Sequence, residues 1–399
     1  MNAPPSPPAV SLPLTVFAML GTQTVTVLLF MTVPVMATEI APAFGVASKD
    51  IALFVSIVFV SAMFFSAASG SFIHRYGGIR ANQLGMTLSA CCLLLALGGS
   101  LPWLYLAAAL VGLGYGPNTP SGSHVLARVT PPRARSLVFS LKQSGAPLGG
   151  LLAGLLVPAM VHTVGWRGAI VVSVLLALAG VVAIQPLRAA LDDDRDAAAP
   201  IALASPWRAV TAVMRDLRLR RLLLVAFCLT ATQATVMTFV VIYLVEVIGL
   251  EFKLAGALFA ASQASGAALR VVMGWAADRL GARTILVVLG LGSALGLVVL
   301  AGLDGDSAFA LVALVVVLGC ALGFGWNGVF LAEIASNSGT VGIGAATGGS
   351  LFFLYGGLVA GPAAVSALAS LSGGYTLPLC SVAALTAAAS LNLLRPLPR

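Results

Sequence analysis

The sequence predicts an all-α membrane protein, with twelve transmembrane helices arranged as two similar six-helix halves. Three observations predict it. Of the 399 residues, 59% are apolar and only 9% charged, which leaves too few polar side chains to wet the surface of a soluble domain. The apolar runs are long and unbroken: Leu222 to Val245 and Ala308 to Phe330 each exceed the ~20 residues that cross a bilayer core. A backbone in hydrocarbon must satisfy its own hydrogen bonds, and runs of this length do so as helices rather than as the short alternating strands of a barrel. The third observation is an internal repeat at one nearly constant offset.

Charged, Pro and Gly-rich punctuation divides the chain into twelve spans. They begin near Ser11, Asp50, Ala81, Pro102, Ser136 and Gly165, and again near Arg221, Phe252, Arg283, Ser307, Val341 and Gly373. The repeat ties the two sets together. LGYGPN (Leu113 to Asn118) in the fourth span matches LGFGWN (Leu322 to Asn327) in the tenth, 209 residues on. Thr22 and Gln23 match Thr232 and Gln233 at an offset of 210, and GSFIHRYGGIR from Gly70 matches GWAADRLGAR from Gly274 at 204. Three matches in the same order make two parallel six-helix repeats. The expected division is residues 1–188, a polar linker at 189–220 holding Asp192, Asp193, Asp194, Arg195 and Asp196, and residues 221–399. A short amphipathic helix is expected around Trp207 to Leu219.

The net charge is +8, but the basic residues sit in short clusters between apolar runs with no aromatic interleaving, so no nucleic-acid partner is expected. With both termini cytoplasmic, that side carries 16 of the 21 Lys and Arg and the other side three, Lys49, Arg167 and Lys253. This bias orients a multi-pass protein in the plasma membrane, the inner membrane of a bacterium. The first residues lack a basic n-region, so the first helix is expected to stay. The five cysteines lie within apolar runs outside any metal-ligand spacing, so packing is expected rather than a metal or a disulfide, and no cofactor is expected.

Gly274, Asp278, Arg279, Gly281 and Arg283 reproduce GxxxDRxGxR, and the chain resembles the major facilitator superfamily, which carries this motif in the loop between helices 2 and 3 and again between 8 and 9. The resemblance covers essentially the whole chain and implies a secondary transporter. It also implies that the loops act as a latch: Gly70, His74, Arg75, Gly77 and Arg80 in the first copy, and Gly274, Asp278, Arg279, Gly281 and Arg283 in the second. The first copy departs from the pattern, because His74 stands where the carboxylate is expected and cannot supply its fixed negative charge. That part of the latch is either weaker or made differently. In the fifth span Gly145, Pro147, Gly149 and Gly150 resemble the family's glycine and proline-rich motif, implying close helix packing and a kink near Pro147.

Charges inside a membrane span are costly and usually have a job. Lys142 lies six residues into the fifth span and Arg270 eight residues before Asp278. The resemblance implies that these helices face one another across a central cavity. No carboxylate occupies the middle of any span, so the two cations call for an anion, with Arg offering a fork and Lys a point charge. The competing readings are snorkelling of Lys142 to the interface and a structural bond from Arg270 to backbone carbonyls or to a neighbouring helix. Polar neighbours proposed to meet substrate are Gln143, Gln23, Asn118, Gln233, Gln263 and Asn327, for each of which taken singly the ordinary role is interhelical hydrogen bonding. The function expected is a monomeric transporter moving a small organic anion, a carboxylate for preference, by alternating access. A coupling proton would ride on His124 or on the substrate's own carboxyl group. The alternatives are an efflux pump for hydrophobic or drug-like compounds and a non-transporting receptor with the same fold. An enzyme is not expected, since no nucleophile, metal or phosphate-binding motif is present.

Overall fold

A computed structural model describes residues 10–46, 48–200 and 206–395, and among these the secondary structure is helical throughout. Among the described residues, eight stretches are long and apolar enough to cross a membrane by length and composition alone. One of them, Pro132–Leu191, runs to 60 residues. Within it the backbone leaves the helical region at Gly165 (φ 71°, ψ 171°), a conformation open to glycine, and this divides the fifth span from the sixth. With the broken helix 101–129, Phe252–Leu280 and Thr376–Asn392, the arrangement matches the expected twelve. The first span begins at Leu12 with proline in its first turn, where the missing N–H costs nothing. The expected linker helix is present as Pro206–Arg215 and stops before Asp216, which accepts the N–H groups of Arg218 and Leu219 and so starts the seventh span, Leu217–Glu246.

The loops between spans two and three and between eight and nine are built alike. Gly77 (φ 87°) and Gly281 (φ 91°) each follow a helix end and precede the next helix at positive φ. Each donates its N–H back to the last turn, Gly77 to Ile73 at 2.8 Å and Gly281 to Ala277 at 2.9 Å. An L side chain is strained there, so the matching glycines of the two motif copies have one backbone reason.

Packing separates two compact units. The first holds Met1–Thr130, Lys142–Ala212 and Ser338–Phe352; the second holds Pro131–Leu141, Val213–Asn337 and Phe353–Arg399. In the first, the fifth span lies along the first: Gly145 abuts the Leu20 carbonyl and Gln23, and Gly149 abuts the Thr24 carbonyl and Val27, so a methyl group at either would collide. Gly150 instead has open space around its Cβ position. The helix turns at Ser144, three residues before Pro147, which cannot donate the i→i−4 bond that would continue it. In the second unit a core of Leu244, Leu297, Leu300, Val316, Cys320 and Val365 lies between spans seven, nine, ten and eleven. Between bilayer-spanning helices such contacts stabilise through dispersion and close fit.

Candidate functional site

Two polar centres and two polar ends carry the residues singled out by the sequence. The first centre is Lys142, 2% exposed and deep in the first unit. Its ammonium donates to Gln23 Oε1 at 2.6 Å and to Gln143 Oε1 at 3.1 Å. Its stem lies against Gly122 of the fourth span, where a Cβ would stand 2.9 Å from Lys142 Cε. The elements around it supply no countercharge. The first span, Leu12–Val35, contains no charged residue, and the charged groups of Asn118–Val129, His124 and Arg128, are bound to linker aspartates. Among the described residues no carboxylate forms an ion pair with Lys142.

Above Gly122 the fourth span is broken. Leu101–Tyr115 ends, Gly116 and Pro117 form a turn, and Asn118–Val129 starts afresh. Asn118 is held by this break: its Nδ2 donates to Thr26 Oγ1 at 3.2 Å and Asn82 Oδ1 at 3.1 Å, and Asn82 in turn donates to Thr22 Oγ1 at 3.1 Å. The amide nitrogen of Asn118 therefore ties spans one, three and four, while its Oδ1 has no partner among the described residues.

The second centre, in the second unit, repeats the broken helix. Phe309–Ser336 passes through a π-helical turn at Val315–Gly319, opens at Gly323 to Gly325, and restarts at Asn327. Opening the helix removes the N–H partner that a carbonyl would find four residues on. Arg270, 6% exposed, takes that role and donates from Nε to the Phe324 carbonyl at 2.7 Å. Close approach is possible because Gly266, one turn earlier on the same face of Phe252–Leu280, leaves room for Phe324. Asn327 donates to Gln233 Oε1 at 3.2 Å. Gln263 lies two turns before Arg270 on that face, and its Nε2 is buried without a partner among the described residues.

At the basic ends, the second motif copy works within its own unit. Asp278 accepts the N–H groups of Ser136 and Leu137 at 2.8 and 2.9 Å, capping Arg135–Gln143. Gly274 abuts Ser140, Arg279 stacks 3.9 Å over the Trp275 ring, and Arg283 meets Glu333 at 3.5 Å. Glu333 thus belongs to this end of the molecule.

In the first copy both acidic positions are histidine. His74 corresponds to Asp278, and His124, by the 209-residue offset of its span, to Glu333. The carboxylates come instead from the linker, all within the first unit. Asp192 accepts from Ile79 N (2.8 Å) and Arg80 N (3.0 Å). Asp194 meets His124 and Arg128, each at 2.7 Å, and Asp193 meets Arg128 at 2.6 Å. The Asp196 N–H donates to the His74 carbonyl at 2.9 Å and Arg75 to the Ala199 carbonyl at 2.7 Å. Arg80 also reaches Gln83 Oε1 at 3.4 Å. Gly70 abuts Ala345, as Gly274 abuts Ser140. Gly77 is required twice, for its positive φ and because a Cβ would collide with the Asp192 carboxyl group. Burial pushes the Asp192 carboxyl up, partly offset by its backbone N–H bonds, whereas the hydrogen bond from Arg128 holds Asp193 down.

Sequence reasoning missed Asn82, Gly122 and the docking of the linker acids. Four aspartates within five linker residues, beside a motif copy lacking its carboxylate, were the available signal for the last of these.

These features define a polytopic helical membrane protein of two repeated halves, with buried cations and motif-bearing loops. The chain belongs to the Major Facilitator Superfamily, whose family model matches residues 16–362. An MFS-type transporter of Mycobacterium tuberculosis, uncharacterised and found in two strains, is 27% identical over 184 residues. That match spans 46% of this chain and 40% of the relative's length. Among solved structures, the E. coli fucose:proton symporter aligns with a TM-score of 0.77 at 14% identity, covering 96% of this chain and 99% of the other. A human organic anion transporter (TETRAN) aligns at 0.77 and 15%, covering 97% and 100%. A proton:xylose symporter aligns at 0.68 and 14%, covering 96% of each. At these identities the likeness is one of fold.

Proposed function

We propose that the protein is a secondary active transporter that moves a small organic anion, a carboxylate, across the bacterial inner membrane by alternating access. The observation that carries this reading is Lys142: a buried ammonium held by two amide oxygens, with no carboxylate paired to it among the described residues. A charge buried away from water is expensive unless compensated, and an anionic substrate is the compensation available. Arg270 places a second buried cation in the other unit. The fold carries sugars in two of the solved relatives and organic anions in another, so these side chains, and not the fold, must decide the substrate. A proton moving with the anion would ride on the substrate's carboxyl group or on His124. The protein acts as a monomer with both termini cytoplasmic.

The loops serve this cycle as a latch. Asp278 and Glu333 hold the second copy, and the linker aspartates hold the first. Lys142, Gln143, Gln23, Asn118, Arg270, Gln233, Gln263 and Asn327 are the groups proposed to meet substrate. Among them Lys142 has the strongest support, and Asn118 can offer only its Oδ1, since its nitrogen is engaged.

The test is a thermal-stability screen of the purified protein against small carboxylates and amphipathic drugs, run beside Lys142→Gln and Arg270→Gln. A ligand stabilises the state it binds, by about 2.7 kcal/mol at a hundredfold excess over Kd. Stabilisation by particular carboxylates, lost in the variants, is the expected result. Silence of the carboxylates together with equal stabilisation of all three proteins by hydrophobic compounds would replace this reading with drug efflux.

A further inference from the structure

Substrate transport gives the linker helix Pro206–Arg215 no task, yet its surface is sorted by chemistry. Val210 and Val213 are buried and fasten the helix to the protein, whereas Trp207 is 54% exposed and Arg208, Thr211, Met214 and Arg215 are exposed with it. Trp207 and Met214, seven residues apart, share one edge of this open arc. Arg208 and Arg215, also seven apart, share the other edge, about 100° further round. An apolar edge running beside a basic one is the pattern of a helix lying in the membrane interface, where tryptophan sits at headgroup level.

The position of Trp207 agrees with that pattern. Its ring packs edge-on to Phe352 at 5.5 Å, and Phe352 packs edge-on to Phe64 at 5.9 Å, all three within the first unit. Phe352 stands nine residues after Ile343, the start of the eleventh span, which is about 14 Å along the helix axis. Phe64 lies within the second span, Leu53–Tyr76, and is itself exposed. An exposed phenylalanine on a spanning helix meets acyl chains, so the indole that joins this row of rings borders lipid.

The arginines supply the second observation. Among the described residues neither Arg208 nor Arg215 forms an ion pair, and nor do the exposed Arg218 and Arg220 that follow. The single acidic residue of 206–221, Asp216, spends its carboxylate on the N–H groups of Arg218 and Leu219. A guanidinium offers phosphate a matching fork, and basic groups held at a bilayer surface draw acidic lipids. We infer that Pro206–Arg215 is a membrane-surface anchor: Trp207 and Met214 enter the boundary between headgroups and acyl chains, while Arg208 and Arg215 bind the phosphate of an acidic phospholipid. The linker between the two halves is thereby tethered to the bilayer, whatever substrate the protein carries.

The experiment reads quenching of Trp207 fluorescence in bilayer discs that hold the full-length protein with equal amounts of phosphatidylcholine and phosphatidylglycerol, bromine being placed on the acyl chains of one lipid or the other. Subtracting the signal of Trp207→Phe, which keeps a ring against Phe352, isolates this indole from the other four tryptophans. Phosphatidylglycerol should occupy the site beside Trp207 about fivefold more than phosphatidylcholine. In Arg208→Gln/Arg215→Gln that ratio should fall close to one, whereas Arg133→Gln/Arg195→Gln, which removes as many exposed charges elsewhere, should leave it unchanged. Absence of quenching by either lipid overturns the anchor, as does equal quenching by both. A preference that survives in the first double variant, or is lost equally in the second, overturns it too. Inorganic phosphate in excess should leave the preference intact; its loss would make the arginines a site for soluble anions and overturn the lipid assignment.

Discussion

The Asp192 carboxylate accepts the backbone N–H of Ile79 at 2.8 Å, and through its second oxygen that of Arg80, at the first turn of the third span. A linker residue more than a hundred positions away in sequence thereby caps a helix whose own loop offers histidine, not aspartate, at the motif position. Replacing it by alanine should cost about 1–2 kcal/mol of local stability, the range for losing a helix cap. Asp192→Asn should cost less, since one amide oxygen remains and a buried charge is removed. Hydrogen exchange at Ile79 and Arg80 checks both, with Ser136 and Leu137, capped by Asp278, as the unaffected comparison.

Gly77→Ala should be more damaging than Asp192→Ala. It strains the backbone at φ 87° and also expels the carboxyl group, and backbone strain of this kind is of order 1–3 kcal/mol. Gly99 has positive φ but open space around its Cβ position, so Gly99→Ala carries the strain alone. Thermal melts of the two variants should rank in that order.

Acid should act on Asp192 and Asp193 in opposite senses. Asp193, held below the ordinary aspartate range by Arg128, contributes stability above its unfolded value that is lost as pH falls through its folded value. Asp192, pushed up by burial, binds its proton more tightly in the folded state, so its contribution is greatest at low pH and is lost as pH rises through its folded value. Melting curves carried from pH 7 to about 2 should show wild type gaining relative to Asp192→Asn as acid is added and, only below the ordinary aspartate value, the gap between wild type and Asp193→Asn closing.

Gly122→Ala should disturb Lys142 without touching its charge. The added methyl would meet the lysine stem at 2.9 Å and push the ammonium away from Gln23. Carboxylate binding should weaken by about tenfold, equivalent to about 1.4 kcal/mol. Gly150→Ala, in open space, should lie within about 0.5 kcal/mol of wild type. Parallel titrations of the two variants decide the point.

Arg270→Lys keeps the charge and loses the Nε donor to the Phe324 carbonyl. An acceptor left bare in the break of the tenth span should cost about 1–3 kcal/mol, read as a lowered melting temperature and faster exchange in residues 323–329.

The twelve spans, the repeat and the two buried cations were legible in the sequence because they rest on local quantities. Run length, the spacing of glycines, and the rarity of charge in hydrocarbon do not depend on what packs where. The empty acidic position at His74 was legible in the same way, as was the existence of a helix near Trp207. Partnerships between distant residues were not. Asn118 and Gln23 looked alike as polar residues in apolar helices, yet Asn118 spends its amide nitrogen on Thr26 and Asn82, whereas Gln23 turns its oxygen to Lys142. Gly150 could not be told from Gly149, because only the neighbouring helix decides which one has room. The linker aspartates read as a solvated charge run until the fold set them against His124, Arg128 and the start of the third span. Sequence by itself determined which elements form and where charge is out of place, since both follow from the solvent each segment must satisfy. Only the tertiary structure decided which group satisfies which, because hydrogen bonds and ion pairs act over about 3–4 Å and the chain alone does not say which residues come that close.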